Sequence, residues 1–148
     1  MRPYLQITLA GANRSRPPRC ARRSSDGPEE GNEDGGPDVC SSVCDGEVLL
    51  NLADGLLSCL NVSDGKMLWE HDLRAYFLAS PSLVGDKLYL LDEDGTMFIG
   101  EYKPKYKELA KCKLEEKCHA SPAFIDGRIY IRGFEHLYCI GEKTTAEP

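Results

Sequence analysis

The chain has 148 residues, 41% of them hydrophobic and 28% charged, with a formal net charge of −6 and an isoelectric point near 5.1. That length holds one domain of ordinary size, and the acidic balance argues against a nucleic-acid binder, which needs a basic face. No apolar run approaches the ~20 residues that cross a bilayer, so no membrane span is expected.

Residues 1–38 differ from the rest. Arg2, Arg14, Arg16, Arg19, Arg22 and Arg23 precede the acidic, glycine-rich run DGPEEGNEDGGPD (26–38). Apolar periodicity stops after Leu9. Such a stretch buries too little surface to offset its ordering entropy, so a disordered head is expected. An Arg-rich contact arm is the functional alternative. YLQITLA (4–10) alternates like a strand but has no turn partner. The same region has Arg2 and Ala10-Gly11-Ala12, as a signal peptide would, but Gln6 and Thr8 interrupt its apolar stretch. It falls short of the ~7–15 apolar residues a signal needs. Localisation is therefore cytoplasmic by default.

From Val39 onward the pattern is strand, turn, strand. The runs VLLNL (48–52) and LLSCL (56–60) flank Asp54-Gly55, and further Asp-Gly steps stand at Asp64-Gly65, Asp94-Gly95 and Asp126-Gly127. Asp-Gly between apolar runs signals a hairpin, because glycine accepts the positive φ of a tight turn. KYKELAKCKLEEK (105–117) could form a helix, but its place in the repeat below predicts a strand near 108–113.

LASPSLVGDKLYLLDEDGTMFIGE (78–101) returns as HASPAFIDGRIYIRGFEHLYCIGE (119–142). Ser80 and Ser121, Tyr89 and Tyr130, and Ile99 and Ile140 are each 41 residues apart, with no gap. Gly55 and Gly95, and Glu47 and Lys87, are 40 apart, which marks an earlier copy at 42–61. A period of ~40 with four short strands per unit is the signature of a propeller blade, a twisted sheet that packs face to face on its neighbours. The expected fold is all-β: a partial β-propeller of two to three four-stranded antiparallel blades over 39–142, behind the 1–38 head and before a 143–148 tail.

GLLSCLNVSDGKMLW (55–69) resembles the blade motif of the pyrroloquinoline-quinone repeat propellers. Gly55, Leu57, Leu60 and Gly65 match its glycines and leucines, and Trp69 its docking tryptophan; Ser58, Cys59, Asn61 and Asp64 depart from it. Ser80-Pro81 with Tyr89, and Ser121-Pro122 with Tyr130, look like the family's first strand pair. The tryptophan motif is complete once, since GEYKPKYKELA (100–110) stands where the second turn and Trp belong. The third copy stops before a fourth strand. The resemblance implies a protein-interaction scaffold akin to bacterial envelope assembly factors, and an envelope or periplasmic setting for full-length relatives. The alternative it implies is a truncated piece of a quinone-dependent dehydrogenase. Those enzymes need a metal held by acidic and amide groups and often use a vicinal cysteine pair. No Cys-Cys dipeptide occurs here, and no catalytic residue can be carried over.

The remaining candidates are weak. Asp92-x-Asp94 opens like a calcium loop, but the acid needed eleven positions on is Lys103. Its expected place is a solvated hairpin tip. Cys118-His119 with Cys112 could suggest zinc, but Cys112 and Cys118 are too widely spaced for a ligand pair, and Cys40 and Cys44 lack a second pair. The seven cysteines, an odd number, are expected as reduced, mostly buried thiols. His71 and His136 have no nucleophile motif beside them, and Asn61-Val62-Ser63 is a glycosylation sequon that matters only in a secretory pathway. No catalytic, cofactor-binding or metal residue is expected, and no small-molecule substrate or nucleic acid. The expected partner is a protein, or a second copy completing the ring.

Overall fold

The turns set the architecture. In Asp54-Gly55 both residues hold positive φ (49° and 82°), as they do in Asp126-Gly127 (49° and 70°). This primed geometry carries the right-handed twist of two paired strands through a two-residue loop. The structure, a computed structural model, describes residues 40–141. The expectations for the head, for its strand candidate at 4–10 and for the tail fall outside those residues.

The described residues form three antiparallel sheets, each a simple meander. Blade 1 is β1 (Val43–Cys44), β2 (Val48–Ala53), β3 (Leu56–Asn61) and β4 (Met67–Asp72). Blade 2 is β5 (Ser82–Val84), β6 (Lys87–Leu91), β7 (Thr96–Glu101) and β8 (Lys107–Lys113). Blade 3 is β9 (Ala123–Ile125), β10 (Arg128–Arg132) and β11 (Leu137–Ile140). No described residue supplies blade 3 with a fourth strand. The charged 105–117 stretch contains the edge strand β8, paired along β7 from Thr96↔Lys113 to Glu101↔Lys107. Its lysines suit an edge, where charge discourages pairing with another chain.

The core lies between the blades. Leu50, Leu52, Leu57 and Cys59 of blade 1 cluster with Leu88, Leu90 and Phe98 of blade 2. Leu91 and Met97 of blade 2 cluster with Cys118 and with Ile131 of blade 3. Leu90 and Leu91, both fully buried, are chain neighbours that point into opposite seams. Successive residues of a strand face opposite sides of its sheet, so a blade covered on both faces has continuous apolar strands. KLYLL and TMFIG of blade 2 show this, whereas RIYIR in blade 3, where the described residues cover one face alone, alternates.

Strand pairing revises the spacing read from sequence. Val43–Leu50–Cys59–Trp69 forms one row across blade 1, Ser82–Tyr89–Ile99–Ala110 across blade 2, and Ala123–Tyr130–Cys139 across blade 3. Tyr89 is thus the counterpart of Leu50, 39 residues earlier, and Val48 rather than Glu47 matches Lys87. Likewise Cys139, not Ile140, matches Ile99. Blades 1 and 3 keep a common offset of 80, from Ser41 and Ser121 through Cys59 and Cys139. Blade 2 has one extra residue in its β6–β7 loop. The Ile-Gly-Glu identity therefore crosses a one-residue slip.

Candidate interaction surface

Just before the first strand of blades 1 and 2, a serine joins the blade to the next. The Ser41 amide donates to Ser80 Oγ (2.8 Å), and the Ser80 amide donates to Ser121 Oγ (2.9 Å). The prolines that follow, Pro81 and Pro122, are buried. Cys40, also buried, directs its thiol at the carbonyls of Phe77 and Ala79.

At the opposite end of the first seam, Asp45 is a pin. Its Oδ1 accepts from the amides of Glu47 and Val48 (2.9 Å each), and Oδ2 from the Tyr102 hydroxyl (3.0 Å) and Lys103 Nζ (2.7 Å). Lys103 also meets Glu47 at 2.6 Å. Burial alone would raise the Asp45 carboxyl, but Lys103 and these donors outweigh it and hold it far below the usual range. Lys103 is pushed up by the same two carboxylates.

In the second seam Glu93 pairs with Lys117 (2.9 Å), and Glu116 with His136 (3.1 Å). The Glu135 amide, the Tyr138 hydroxyl and His136 hold Glu116 down at about 2 against the effect of burial. Tyr138 is in turn pushed up to about 12, chiefly by that carboxylate. The linkers repeat one bond: the Glu93 amide donates to the Tyr76 carbonyl, and the Phe134 amide to the Lys117 carbonyl. Gly55 and Gly95 both have φ near 82°, and a Cβ on either would strike a linker carbonyl, of Ala75 or Glu116 respectively.

The sequence-selected residues are distributed over this frame. Leu57 is fully buried in the first seam, and Gly65 closes the β3–β4 turn with its amide on the Asn61 carbonyl. Leu60 pairs with Leu49 and Met67 on the outer face of blade 1. Trp69 is half-buried against the first core and stands beside the ring pair of His71 and Tyr106 (4.7 Å between centroids). Ala110 takes the tryptophan's place in blade 2. Tyr89 meets Phe124 of blade 3 at 4.8 Å, while its counterpart Tyr130 lies on the outer face of blade 3. The acidic tip is less solvated than its composition suggests: buried Asp92 accepts from the Thr96 amide at 2.6 Å, and Glu93 is half-buried. Sequence reading missed Asp45, Tyr102 and Lys103, whose counterparts in other blades differ. It also missed the Ser41 link, which lay one residue off its assumed spacing.

Among the described residues, no three His, Cys, Asp or Glu side chains converge as a metal site, and six cysteines are free thiols.

A family model, that of the outer membrane protein assembly factor BamB, matches residues 15–100, more than half the chain. The chain belongs to this family. Among solved structures, BamB from Moraxella catarrhalis superposes with a TM-score of 0.55 at 21% identity, over 63% of this chain and 28% of that one. The quinohemoprotein alcohol dehydrogenase ADHIIG from Pseudomonas putida HK5 gives 0.53 at 13% identity, over 63% and 16%. The computationally designed Ika4 protein gives 0.53 at 12%, over 68% and 63%. These likenesses show the fold, and the BamB-family chain described here spans about a quarter or less of the two natural proteins. No curated protein matches it.

Proposed function

We propose that this BamB-family chain is a non-catalytic propeller segment that works as a protein-interaction scaffold in outer membrane protein assembly, at the cell envelope. The observation that carries the reading is where its strongly shifted groups are used. Asp45, Lys103, Glu116 and Tyr138 are joined to partners across or beside the seams, so they hold blades together. Shifted pKa values mark active sites when they converge in a cleft, and ion-pair networks shift them as well. The donor set does not fit a quinone held by a metal, because the acids are spread over separate seams. The alcohol dehydrogenase named among the similar structures shares the fold at 13% identity and lends no residue to this reading.

Two measurements test the proposal. Titration with calcium and pyrroloquinoline quinone should leave the thermal midpoint unchanged and yield no dye-linked alcohol oxidation; saturable stabilisation with turnover would overturn the non-catalytic half. Adding the chain to an unfolded outer-membrane β-barrel protein should change its rate of insertion into lipid vesicles. An unchanged rate at saturating chain would overturn the scaffold half.

A further inference from the structure

We infer that a groove at the Asp45 end of the first seam binds an extended, proline-rich segment of a partner protein that carries a basic residue. The inference goes beyond the scaffold reading and does not depend on it. Leu68 and Trp69 of β4 and Lys103-Pro104 of the β7–β8 loop line the groove, over the buried Val48 and Cys59. Its volume is about 750 Å³, within the range of ~300–1,000 Å³ for ligand clefts. A strand bulge builds the β4 wall. Cys59 pairs with Trp69 and Leu60 with Met67, so Leu68 is an extra residue with no place in the ladder. Neighbours on a regular strand face opposite sides of the sheet, and a bulge re-aims one of them. Leu68 and Trp69 thereby line the same groove, and Leu68 stays 52% exposed. Blade 2 has the same bulge around Leu109, but Ala110 stands there in place of the tryptophan. Among the described residues, the aromatic wall is the first seam's own addition to a repeated bulge.

The hydrogen-bonding groups select the occupant. Asn61 also lines the groove, and its side-chain oxygen already accepts from the Ser63 amide and hydroxyl at 2.8 and 2.7 Å. Its amide hydrogens, like the Trp69 indole N–H, have no acceptor among the described residues. The groove thus offers side-chain donors, while a peptide N–H entering it would itself need an acceptor. Proline has a carbonyl to accept and no N–H to satisfy. A polyproline II segment is also extended before it binds, so it loses little entropy, and its rings pack on aromatic walls. Charge complementarity places the basic residue. Asp45 and Glu47 share the ammonium of Lys103, at 2.7 and 2.6 Å, which leaves one negative charge at that end of the groove. The Glu47 side chain is 80% exposed and open to an arginine or lysine beside the prolines.

Fluorescence anisotropy of a labelled oligoproline peptide ending in arginine tests this on the full chain. Binding should saturate. Trp69→Phe keeps a ring and removes the N–H, and should weaken binding about fivefold, the worth of one hydrogen bond. Leu68→Ala, at an exposed position, should weaken it by a similar factor. Glu47→Gln should weaken the arginine peptide about threefold and leave plain oligoproline unchanged. Urea melts followed by circular dichroism confirm that each variant stays folded. No saturable binding would overturn the inference. So would binding indifferent to Trp69→Phe and Leu68→Ala, or equal binding of a glycine–serine peptide ending in arginine. Should the peptide bind by these rules while barrel insertion stays unchanged, the scaffold reading falls and this inference stands.

Discussion

The two seams are built to one plan with unequal material. The first gathers Leu50, Leu52, Leu57, Cys59, Leu88, Leu90 and Phe98, with Trp69 against them and the Asp45 pin at one end. The second holds Ala79, Leu91, Met97, Cys118 and Ile131, and several large apolar residues of blade 3, including Leu137 and Ile140, stay exposed. In a repeat protein each unit is stabilised by its own sheet and by its neighbours. Among the described residues blade 3 has three strands and one covered face, so it should open before blades 1 and 2 part. The unequal seams make stability graded along the chain, the condition for sub-global opening.

Adjacent residues on one strand can break the comparison most sharply. Leu90→Ala should cost about 4 kcal/mol by leaving a cavity in the first seam, and should lower the Trp69 fluorescence transition directly. Leu91→Ala, one residue on, should cost about 3 kcal/mol, expressed mainly in blade 3. Hydrogen exchange of β9–β11 should accelerate while the Trp69 transition moves little. Equal shifts in both observables would show that the seams unfold as one.

The second seam also has an acid sensitivity. Glu116 sits at about 2 in the folded chain against an ordinary 4.5, so its contribution is complete above that ordinary value and is lost as pH falls towards 2. Protection of blade 3 amides should decline across this window, and Glu116→Gln should flatten the decline. Asp45 in the first seam acts in the same direction, so Asp45→Asn should flatten the acid side of the Trp69 transition.

Smaller effects sharpen the first seam. The Tyr106 hydroxyl is buried with no hydrogen-bond partner among the described residues, and burial raises it to about 12. Tyr106→Phe should therefore stabilise the chain by about 1 kcal/mol in urea denaturation, since an unpaired buried polar atom costs that much. Ser80→Ala removes the acceptor for the Ser41 amide and should cost about 1 kcal/mol by the same measurement.

Much of this frame was legible in the sequence. Asp-Gly steps imposed turns because few other residues accept positive φ, and the ~40-residue period showed that the units stack. The strand at β8 was legible from the repeat rather than from its own residues, whose lysines and glutamates favour a helix. Register was less legible. Identity drew Ile140 onto Ile99, whereas backbone pairing sets Cys139 there, because a loop absorbs one residue without disturbing the ladder.

By itself, then, the sequence determined the all-β class, the number of copies and the turns. These follow from local backbone preference and apolar period. Only the tertiary structure decided which neighbour each side chain faces, because a one-residue shift turns a strand over. It separated Leu90 from Leu91 and placed Asp45 against Tyr102 and Lys103. These are pairings between residues distant in sequence, and packing of one blade on the next alone fixes them.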